Sequence, residues 1–319
     1  MRAASHMSIR ALYKDQSRQV KLMKKLRIFW NFSRPFTLIP PVVGIVSGAL
    51  VGIGATRAPF RWPLILSAAV AAAALNAASN ALNQICDLEN DRLNKPLRAL
   101  PSGQLSRVEA ILFTSALYIA SIALVAWINV QTLVIYLIAA LATYLYSAPP
   151  FRLKSHTFLS NFTIALIRGN LLKVAGWAAV ASVTNSLEPC YIGGIFMFFL
   201  MGATSTKDFA DIDGDRAAGC LTLPVRYGPI QTARLIAPFF ILPWTLLPLG
   251  VVTRYLSANP ALVSALGLVL VLWGTYVAYL INRNPTAMVT QGENHPSWRQ
   301  MYWMMMTGHI GLGLIYLVH

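Results

Sequence analysis

Acidic residues are scarce in this chain of 319 residues, with 11 aspartates and glutamates against 26 lysines and arginines. Charged residues of both signs make up 12% of the sequence, whereas hydrophobic residues make up 56%. This composition excludes an ordinary soluble globule and a disordered chain, and it is typical of a polytopic membrane protein. We therefore predict an all-α membrane protein.

Cysteine is also scarce, and its three residues form no paired motif. Cys86, Cys190 and Cys220 are far apart in the sequence, so no disulfide framework or Cys-x-x-Cys site is predicted. No His/Cys cluster stands near the acidic residues, which disfavours zinc. We expect no cleavable signal peptide, because residues 1–35 are too basic and polar to contain its apolar segment.

Hydrophobic stretches of membrane-spanning length recur nine times. Their predicted ranges are 36–54, 62–85, 109–126, 131–147, 158–181, 190–206, 230–251, 261–281 and 300–318. The second and sixth stretches both end in an acidic cluster, in which Asp91 and Asp215 are 215 − 91 = 124 residues apart. We predict nine transmembrane helices, arranged as two four-helix repeats plus one further helix around a central cavity.

The basic residues give a net charge of +15, but their distribution favours a membrane over nucleic acid. Nine precede the first span. With that end in the cytoplasm, 12 more fall in loops on the same side, against three on the opposite side. This is the positive-inside pattern. We therefore predict an integral multi-pass protein with a cytoplasmic N-terminus, membrane lipid as a partner and no nucleic-acid partner. Nothing in the sequence indicates an oligomeric state.

Residues 1–35 are predicted to form a basic, amphipathic N-terminal segment that precedes a membrane domain over 36–319. Apolar residues recur at loose helical spacing over 8–30. Both a helix on an anionic leaflet and a basic tail that sets topology fit this pattern. Residues 1–6 are expected to be a cloning remnant, because the opening ends in Ser5-His6-Met7, which resembles a cloning scar. The native start would then be Met7.

Two short windows, 86–91 and 208–215, contain seven of the 11 acidic residues. Asp87 and Asp91 are four residues apart, so they share one face of a helix. The same face extends back through Asn83, Asn80 and Asn76. Glu89 lies about 200° round the helix from Asp87 and is expected to point elsewhere.

The second window has the same pattern. Asp208, Asp211 and Asp215 follow i, i+3, i+7 spacing, whereas Asp213 falls off their face. Carboxylates near lipid are costly and mark functional sites. Two carboxylate sets without counter-charges between them repel, so we expect Mg²⁺ to bridge them to the phosphates of a ligand.

Basic residues flank both windows, where a phosphate needs them. Lys95 and Arg98 follow the first window, Lys207 lies just before the second, and Arg152 and Lys154 follow the fourth span. Two further cations lie inside the fifth span. Arg168 is expected to contact substrate or a carboxylate. Lys173 is equally well explained by snorkelling or by a helix break. Arg34 is either functional or part of the positive-inside pattern, and His309 is expected to be a packed histidine.

Four ordered motifs resemble those of the UbiA superfamily of intramembrane prenyltransferases. They are Asn83-Gln-x-x-Asp87-x-x-x-Asp91, Asn94-Lys-Pro-x-Arg98-x-x-Pro-Ser-Gly103, Tyr146-Ser-x-Pro-Pro-x-Arg152-x-Lys154 and Lys207-Asp-x-x-Asp211-x-x-x-Asp215. The resemblance covers most of residues 30–285. It implies a nine-helix bundle that binds Mg²⁺ and a prenyl diphosphate donor, and transfers the isoprenyl group to an aromatic or lipid acceptor.

The resemblance also implies roles for individual residues. The metal–diphosphate set is Asn83, Asp87, Asp91, Asp208, Asp211 and Asp215. Nearby contacts to the diphosphate or its gate are Lys95, Arg98, Tyr146, Arg152, Lys154 and Lys207. From the residue pattern itself, we add Asn80 and Arg168 as substrate-binding candidates.

The motifs leave the acceptor open, because they combine features of two branches. Gln84 and the Arg168-Gly169 pair resemble the homogentisate-type branch, whereas Pro101-Ser-Gly resembles the archaeal-lipid and chlorophyll-synthase branches. A terpene cyclase on the same scaffold would ionise the same donor without an acceptor and remains the alternative. A CDP-alcohol phosphotransferase is disfavoured, because its Asp-Gly-x-x-Ala-Arg signature is absent. A cation transporter would not need the basic flanks.

Overall fold

The computed structural model describes residues 19–318, except for the side chains of Leu93, Asn94 and Glu293. About 80% of the chain is helical, and the described residues form no strand. The suspected cloning remnant lies outside the described residues. The helices are α1 (19–32), α2 (Ile39–Thr56), α3 (Trp62–Cys86), α4 (Leu88–Asn94), α5 (Arg107–Ala126), α6 (Val130–Ser147), α7 (Thr157–Ala165), α8 (Leu172–Ala178), α9 (Glu188–Ala203), α10 (Ile212–Ala217), α11 (Leu223–Ile236), α12 (Pro238–Val252), α13 (Pro260–Arg283), α14 (Ala287–Gln291) and α15 (Pro296–Leu317).

Seven helical segments of the described chain are long and apolar enough to cross a membrane. They are Pro35–Thr56, Trp62–Cys86, Arg107–Ala126, Val130–Ser147, Glu188–Phe209, Leu223–Val252 and Pro260–Arg283. The other two predicted spans are also helical. One consists of α7 and α8 joined by a π-helix at Leu166–Leu171, and the other is α15, which begins with polar residues. The count of nine spans and the four-helix repeats stay predictions.

Capping residues account for where several helices begin. At α5, the Ser106 side chain accepts from the Glu109 backbone, and the Glu109 side chain accepts from the Ser106 backbone, which is a capping box. Asn129 accepts from Thr132 N at the start of α6. Both α2 and α3 have proline in the first turn, where backbone N–H groups have no intrahelical acceptor, so the missing N–H of proline costs no hydrogen bond. Local sequence therefore sets these boundaries.

Glycines allow α2 to pack closely against α8 on one side, while α15 packs on another. A Cβ atom on Gly48 would lie 2.6 Å from the Lys173 carbonyl oxygen, and one on Gly176 would lie 2.3 Å from that of Ile45. Small residues commonly let membrane helices approach in this way. The contact fixes the fifth predicted span beside the first, and both of these spans line the cavity described below.

Candidate active site

Two aspartates interrupt helices in nearly the same backbone conformation. Asp87 separates α3 from α4 with φ −99° and ψ 13°, and Asp211 precedes α10 with φ −105° and ψ 11°. In both places the residue four positions on donates its backbone N–H to the interrupting aspartate: Asp91 N to Asp87 O at 2.7 Å, and Asp215 N to Asp211 O at 2.8 Å. The predicted continuous helix faces are therefore wrong, because each helix breaks at its aspartate.

The side chains nevertheless converge on one cavity of about 710 Å³. Its lining includes the aspartates Asp87, Asp91, Asp208, Asp211 and Asp215. Glu89 and Asp213 are absent from the lining, and their side chains are 81% and 98% exposed. The helical spacing thus separates the inward from the outward acids, even though the helices are interrupted.

Asparagines continue the polar lining from Asp87 towards the membrane interior. Asn76, Asn80 and Asn83 all line the cavity. The Asn80 amide donates to Ser33 O at 3.1 Å and to Thr37 Oγ1 at 2.8 Å, so it ties α3 to the segment that leads into α2. Asn83 makes no side-chain hydrogen bond with the described part of the chain, which leaves its amide oxygen available to a ligand.

Every aspartate that lines the cavity has a polar partner, and four of them are paired with cations. Asp87 contacts both Arg152, whose Nη2 lies 3.0 Å from Oδ1, and Lys154, whose Nζ contacts Oδ2. Arg98 Nη1 lies 2.6 Å from Asp91 Oδ2. The expectation of carboxylate sets without counter-charges is therefore wrong: the flanking cations that we assigned to phosphate contact the carboxylates.

The second cluster is paired in the same manner. Lys207 Nζ lies 2.9 Å from Asp208 Oδ1, and Lys95 Nζ lies 3.1 Å from Asp211 Oδ1. Asp215 accepts instead from Thr222 Oγ1 at 3.2 Å. Burial, followed by the charge of Asp208, raises the pKa of Asp215 to about 6. The second cluster therefore has more negative charge than its cations neutralise.

Two further predicted substrate contacts also line the cavity. Tyr146 lines the cavity, with its hydroxyl 3.5 Å from Ser160 Oγ, and Arg168 lines it from the π-helix. Lys173 is absent from the lining. Its Nζ lies 2.5 Å from Ser47 Oγ and 4.7 Å from the centre of the Phe196 ring. His309 stacks on that same ring at 4.0 Å, as a packed histidine would.

Cys220, Thr222 and Trp298 also line the cavity, although none of them was predicted as a site residue. Thr222 begins the Thr222-Leu-Pro224 run that follows the second aspartate motif and also resembles the UbiA superfamily, but no role in the site was predicted for it. Trp298 lies 83 residues from Asp215 in the sequence, and no pattern connects the two. Cys220 is buried, and its pKa is raised by burial and then by the charge of Asp215, which keeps the thiol protonated.

The donor set suits Mg²⁺. No group of three or more His, Cys, Asp or Glu residues in the described chain is close enough to enclose a metal ion. Mg²⁺ does not require such a cage, because it commonly binds one or two carboxylates together with substrate phosphates and water. The oxygen donors at the mouth of the cavity are five carboxylates and the amide of Asn83, which are the hard ligands that this ion prefers.

Comparison with known proteins agrees with this geometry. The model of the UbiA prenyltransferase family matches residues 39–314. The chain is 29% identical over 225 residues to chlorophyll synthase of Oryza sativa, covering 66% of this chain and 57% of that protein. It is 28% identical over 204 residues to digeranylgeranylglyceryl phosphate synthase of Methanoculleus marisnigri, covering 64% of this chain and 70% of that protein.

A third relative is homogentisate geranylgeranyltransferase of Hordeum vulgare, 29% identical over 233 residues, covering 67% of this chain and 55% of that protein. The matched part of the chain spans little more than half the length of these plant proteins. Both branches suggested by the motifs are therefore represented among the relatives.

Solved structures share the fold. A UbiA homologue from Archaeoglobus fulgidus superposes with a TM-score of 0.69 at 20% identity, covering 91% of this chain and all 100% of that chain. The same homologue bound to GPP and Mg²⁺ superposes with a TM-score of 0.66 at 21% identity, covering 89% and 99% of the two chains. This chain is an integral, multi-pass membrane protein, and it belongs to the UbiA prenyltransferase family.

Proposed function

We propose that the protein catalyses Mg²⁺-dependent transfer of an isoprenyl group from a prenyl diphosphate to an aromatic or lipid acceptor inside the membrane. The observation that carries the proposal is the pair of matching aspartate breaks, Asp87 and Asp211, at the mouth of one cavity whose deeper lining is apolar. Family membership and the GPP and Mg²⁺ bound by the Archaeoglobus homologue support it.

The basic residues of the mouth are suited to the donor's diphosphate. Lys95, Arg98, Arg152, Lys154 and Lys207 are already within contact distance of carboxylates. Phosphate oxygens offer the same charge-assisted hydrogen bonds, and arginine can bind two of them at once. In this proposal the cations move from carboxylate to phosphate when the donor binds, which frees the carboxylates for the metal.

The residues that would hold Mg²⁺ are Asn83, Asp87, Asp91, Asp208, Asp211 and Asp215. When bound, the ion supplies neutralisation of the negative charge that develops on the departing diphosphate. The chain's own cations supply part of the same stabilisation, because they face the oxygens on which charge accumulates in the transition state.

The reaction separates charge, and the cavity lining favours that separation. The bond between C1 of the prenyl group and the diphosphate oxygen breaks, and both bonding electrons leave with the diphosphate. The allylic cation faces side chains that carry no nucleophile and exclude water. These include Ile45, Ala72, Leu75, Ile135, Ala139, Ile164, Ile167, Leu171, Leu172 and Ala175. An electron-rich carbon or hydroxyl of the acceptor then forms the new bond, and the proton that it loses passes to the released diphosphate or to water.

The mouth of the cavity is proposed to face the cytoplasm. Its loops contain Lys95, Arg98, Arg152, Lys154 and Lys207, and the positive-inside rule favours that side for short basic loops. The donor's charged head would then be recruited from the aqueous phase, while its apolar tail lies in the membrane-embedded part of the cavity.

The test is a turnover assay with the purified protein in lipid vesicles. Prenyl diphosphates of several lengths are combined with homogentisate, 4-hydroxybenzoate, dihydroxynaphthoate, chlorophyllide or isoprenyl glycerol phosphate, and product masses are measured with Mg²⁺ or with EDTA. We expect one of the acceptors to gain a prenyl group, and only when Mg²⁺ is present. A hydrocarbon formed from the donor alone would instead identify a cyclase.

Matched variants connect that activity to the site. Asp87→Asn and Asp215→Asn should abolish turnover, whereas Glu89→Gln, at an exposed position outside the cavity, should not change it. Full Mg²⁺-dependent activity in either aspartate variant would refute the metal assignment.

A further inference from the structure

Arg168 lines the cavity without a carboxylate partner among the described residues, unlike Lys95, Arg98, Arg152, Lys154 and Lys207. Its guanidinium lines the cavity and is partly buried, yet it makes no hydrogen bond or ion pair with any residue of the described chain. Among the cations that flank the clusters, five are paired with aspartates. An arginine inside a membrane span without a partner is costly and therefore marks a functional site.

The backbone holds Arg168 in place. It lies in the π-helix at Leu166–Leu171, a local insertion that is frequent at functional sites. The next residue, Gly169, packs directly on α9: a Cβ atom there would lie 2.4 Å from Met197 N. Because this contact fixes the π-helix against a neighbouring span, the guanidinium is presented to the cavity from a rigid element.

Arg168 shares its cavity with Tyr146 and Arg34, and no ion pair joins it to a carboxylate of the described residues. Lys207, which is paired with Asp208, lines the same cavity. A group bound at Arg168 would therefore occupy the cavity that also takes the leaving diphosphate.

We infer that Arg168 binds an anionic group of the acceptor, a carboxylate or a phosphate, and so determines which acceptors are used. This inference rests on the proposed function and concerns the same cavity. The guanidinium matches either anion with two parallel hydrogen bonds. An acceptor anchored there has its nucleophilic atom directed towards C1 of the donor, whereas the five paired cations at the mouth serve the diphosphate.

Direct binding measurements without donor test the inference, using probes that differ in charge. One pair is 4-hydroxybenzoate and its neutral methyl ester; the other is isoprenyl glycerol phosphate and isoprenyl glycerol. In the wild-type protein, one anionic probe should bind roughly 10- to 100-fold more tightly than its neutral counterpart, which is the range for hydrogen bonds to charged groups. Which pair shows the preference identifies the carboxylate or the phosphate.

Variants connect that preference to Arg168. Arg168→Gln should remove it, and Arg168→Lys, which keeps the charge but not the two-point geometry, should reduce it. Arg234→Gln, at an exposed position outside the cavity lining, should keep it. No anion preference in the wild type, or an unchanged preference in Arg168→Gln, overturns the inference. If Arg168→Gln does not fold, an unchanged preference in Arg168→Lys overturns it.

Donor binding separates this inference from the proposed function. An unreactive thiodiphosphate analogue of the donor, titrated with Mg²⁺, should bind wild type and Arg168→Gln equally. Failure of the wild type to bind it would reject the proposed function. Equal donor binding without any anion preference would reject only the role of Arg168, and weakened donor binding in Arg168→Gln would assign that residue to the diphosphate instead.

Discussion

Lys95 and Asp211 connect the two aspartate clusters across the mouth of the cavity. Lys95 Nζ lies 3.1 Å from Asp211 Oδ1 and 3.3 Å from Oδ2, although the two residues are 116 positions apart. The Lys95 backbone N–H also donates to Asp91 O at 2.8 Å, so its backbone belongs to the first cluster and its side chain contacts the second. A diphosphate that binds between the clusters must compete for this side chain.

Lys95→Met should weaken donor binding and leave the fold intact. The pair is about 40% exposed, and such pairs contribute about 0–1 kcal/mol to stability. A charge-assisted bond to phosphate contributes more, so we expect the donor KM to rise roughly tenfold. Steady-state kinetics and thermal unfolding measure the two effects.

Arg92→Met is the matched control for that prediction. Arg92 pairs with Glu89 at 2.8 Å on the exposed side of α4 and lies outside the cavity lining. Its loss should change neither the donor KM nor the unfolding temperature by a measurable amount. An equal rise of the donor KM in both variants would indicate a general effect of loop charge rather than a contact with phosphate.

The raised pKa of Asp215 predicts how the metal-free protein responds to pH. With its pKa at about 6, folded Asp215 binds a proton more tightly than it does in the unfolded chain. Between pH of about 4 and 6 the folded state thus carries more protons on Asp215, so the contribution of Asp215 to the free energy of unfolding falls as pH rises, with a slope that corresponds to at most about one proton.

Thermal unfolding in EDTA over this pH range measures that slope. Asp215→Asn should change this slope by up to the value that corresponds to one bound proton. Asp213→Asn, which alters a side chain that is 98% exposed, should keep the wild-type slope. A slope that is the same in wild type and Asp215→Asn would show that Asp215 titrates normally in the folded protein.

The sequence predicted the helical segments and the inward-facing aspartates, because both depend on local periodicity. Asp208, Asp211 and Asp215 all line the cavity as predicted, although the helix is interrupted at Asp211. The break at Asp87 was not predictable, since Leu88 and Glu89 continue an acceptable helical pattern. The pairing of Asp87 with both Arg152 and Lys154 was not predictable either, because contacts between residues 65 or more positions apart depend on how the spans pack.

Glu188 is a buried carboxylate at the start of α9, whereas Asp208 follows the end of that helix. The hydrogen-bond partners of Glu188 predict a structural role. It accepts from Ser257 N at 2.7 Å and from the hydroxyl of Tyr316, which joins the start of α9 to the end of α15. Tyr316→Phe leaves this carboxylate with one partner fewer. We expect the free energy of unfolding to fall by about 1–3 kcal/mol, with donor and acceptor KM unchanged.

Tyr255→Phe is the control for Tyr316→Phe. The Tyr255 ring stacks on Tyr191 at 5.2 Å, and its hydroxyl makes no hydrogen bond with the described chain. Its removal should therefore leave stability within about 0.5 kcal/mol of wild type. If both variants lose the same stability, the hydroxyl of Tyr316 contributes nothing specific to Glu188.

Lys173 and Arg168 are both cations of the fifth span, and the structure predicts opposite results for their substitution. Lys173 lies outside the cavity lining, contacts Ser47 and Phe196, and has no carboxylate partner in the described chain. Ser47 keeps a partner without it, because its hydroxyl also donates to His309 O. Lys173→Met should thus leave turnover unchanged and raise the free energy of unfolding by about 1 kcal/mol, since a buried amine without a counter-charge is replaced by an apolar chain of similar volume.

Lys173→Ala separates charge from volume at the same position. It removes the same amine but leaves a cavity among α2, α8 and α9, so it should lower the free energy of unfolding by roughly 2–5 kcal/mol. Thermal unfolding of the two variants, each with a turnover assay, measures both effects. Loss of turnover in a stably folded Lys173→Met variant would show that this amine takes part in catalysis, because its packing would then be retained and only the amine and its hydrogen bond lost.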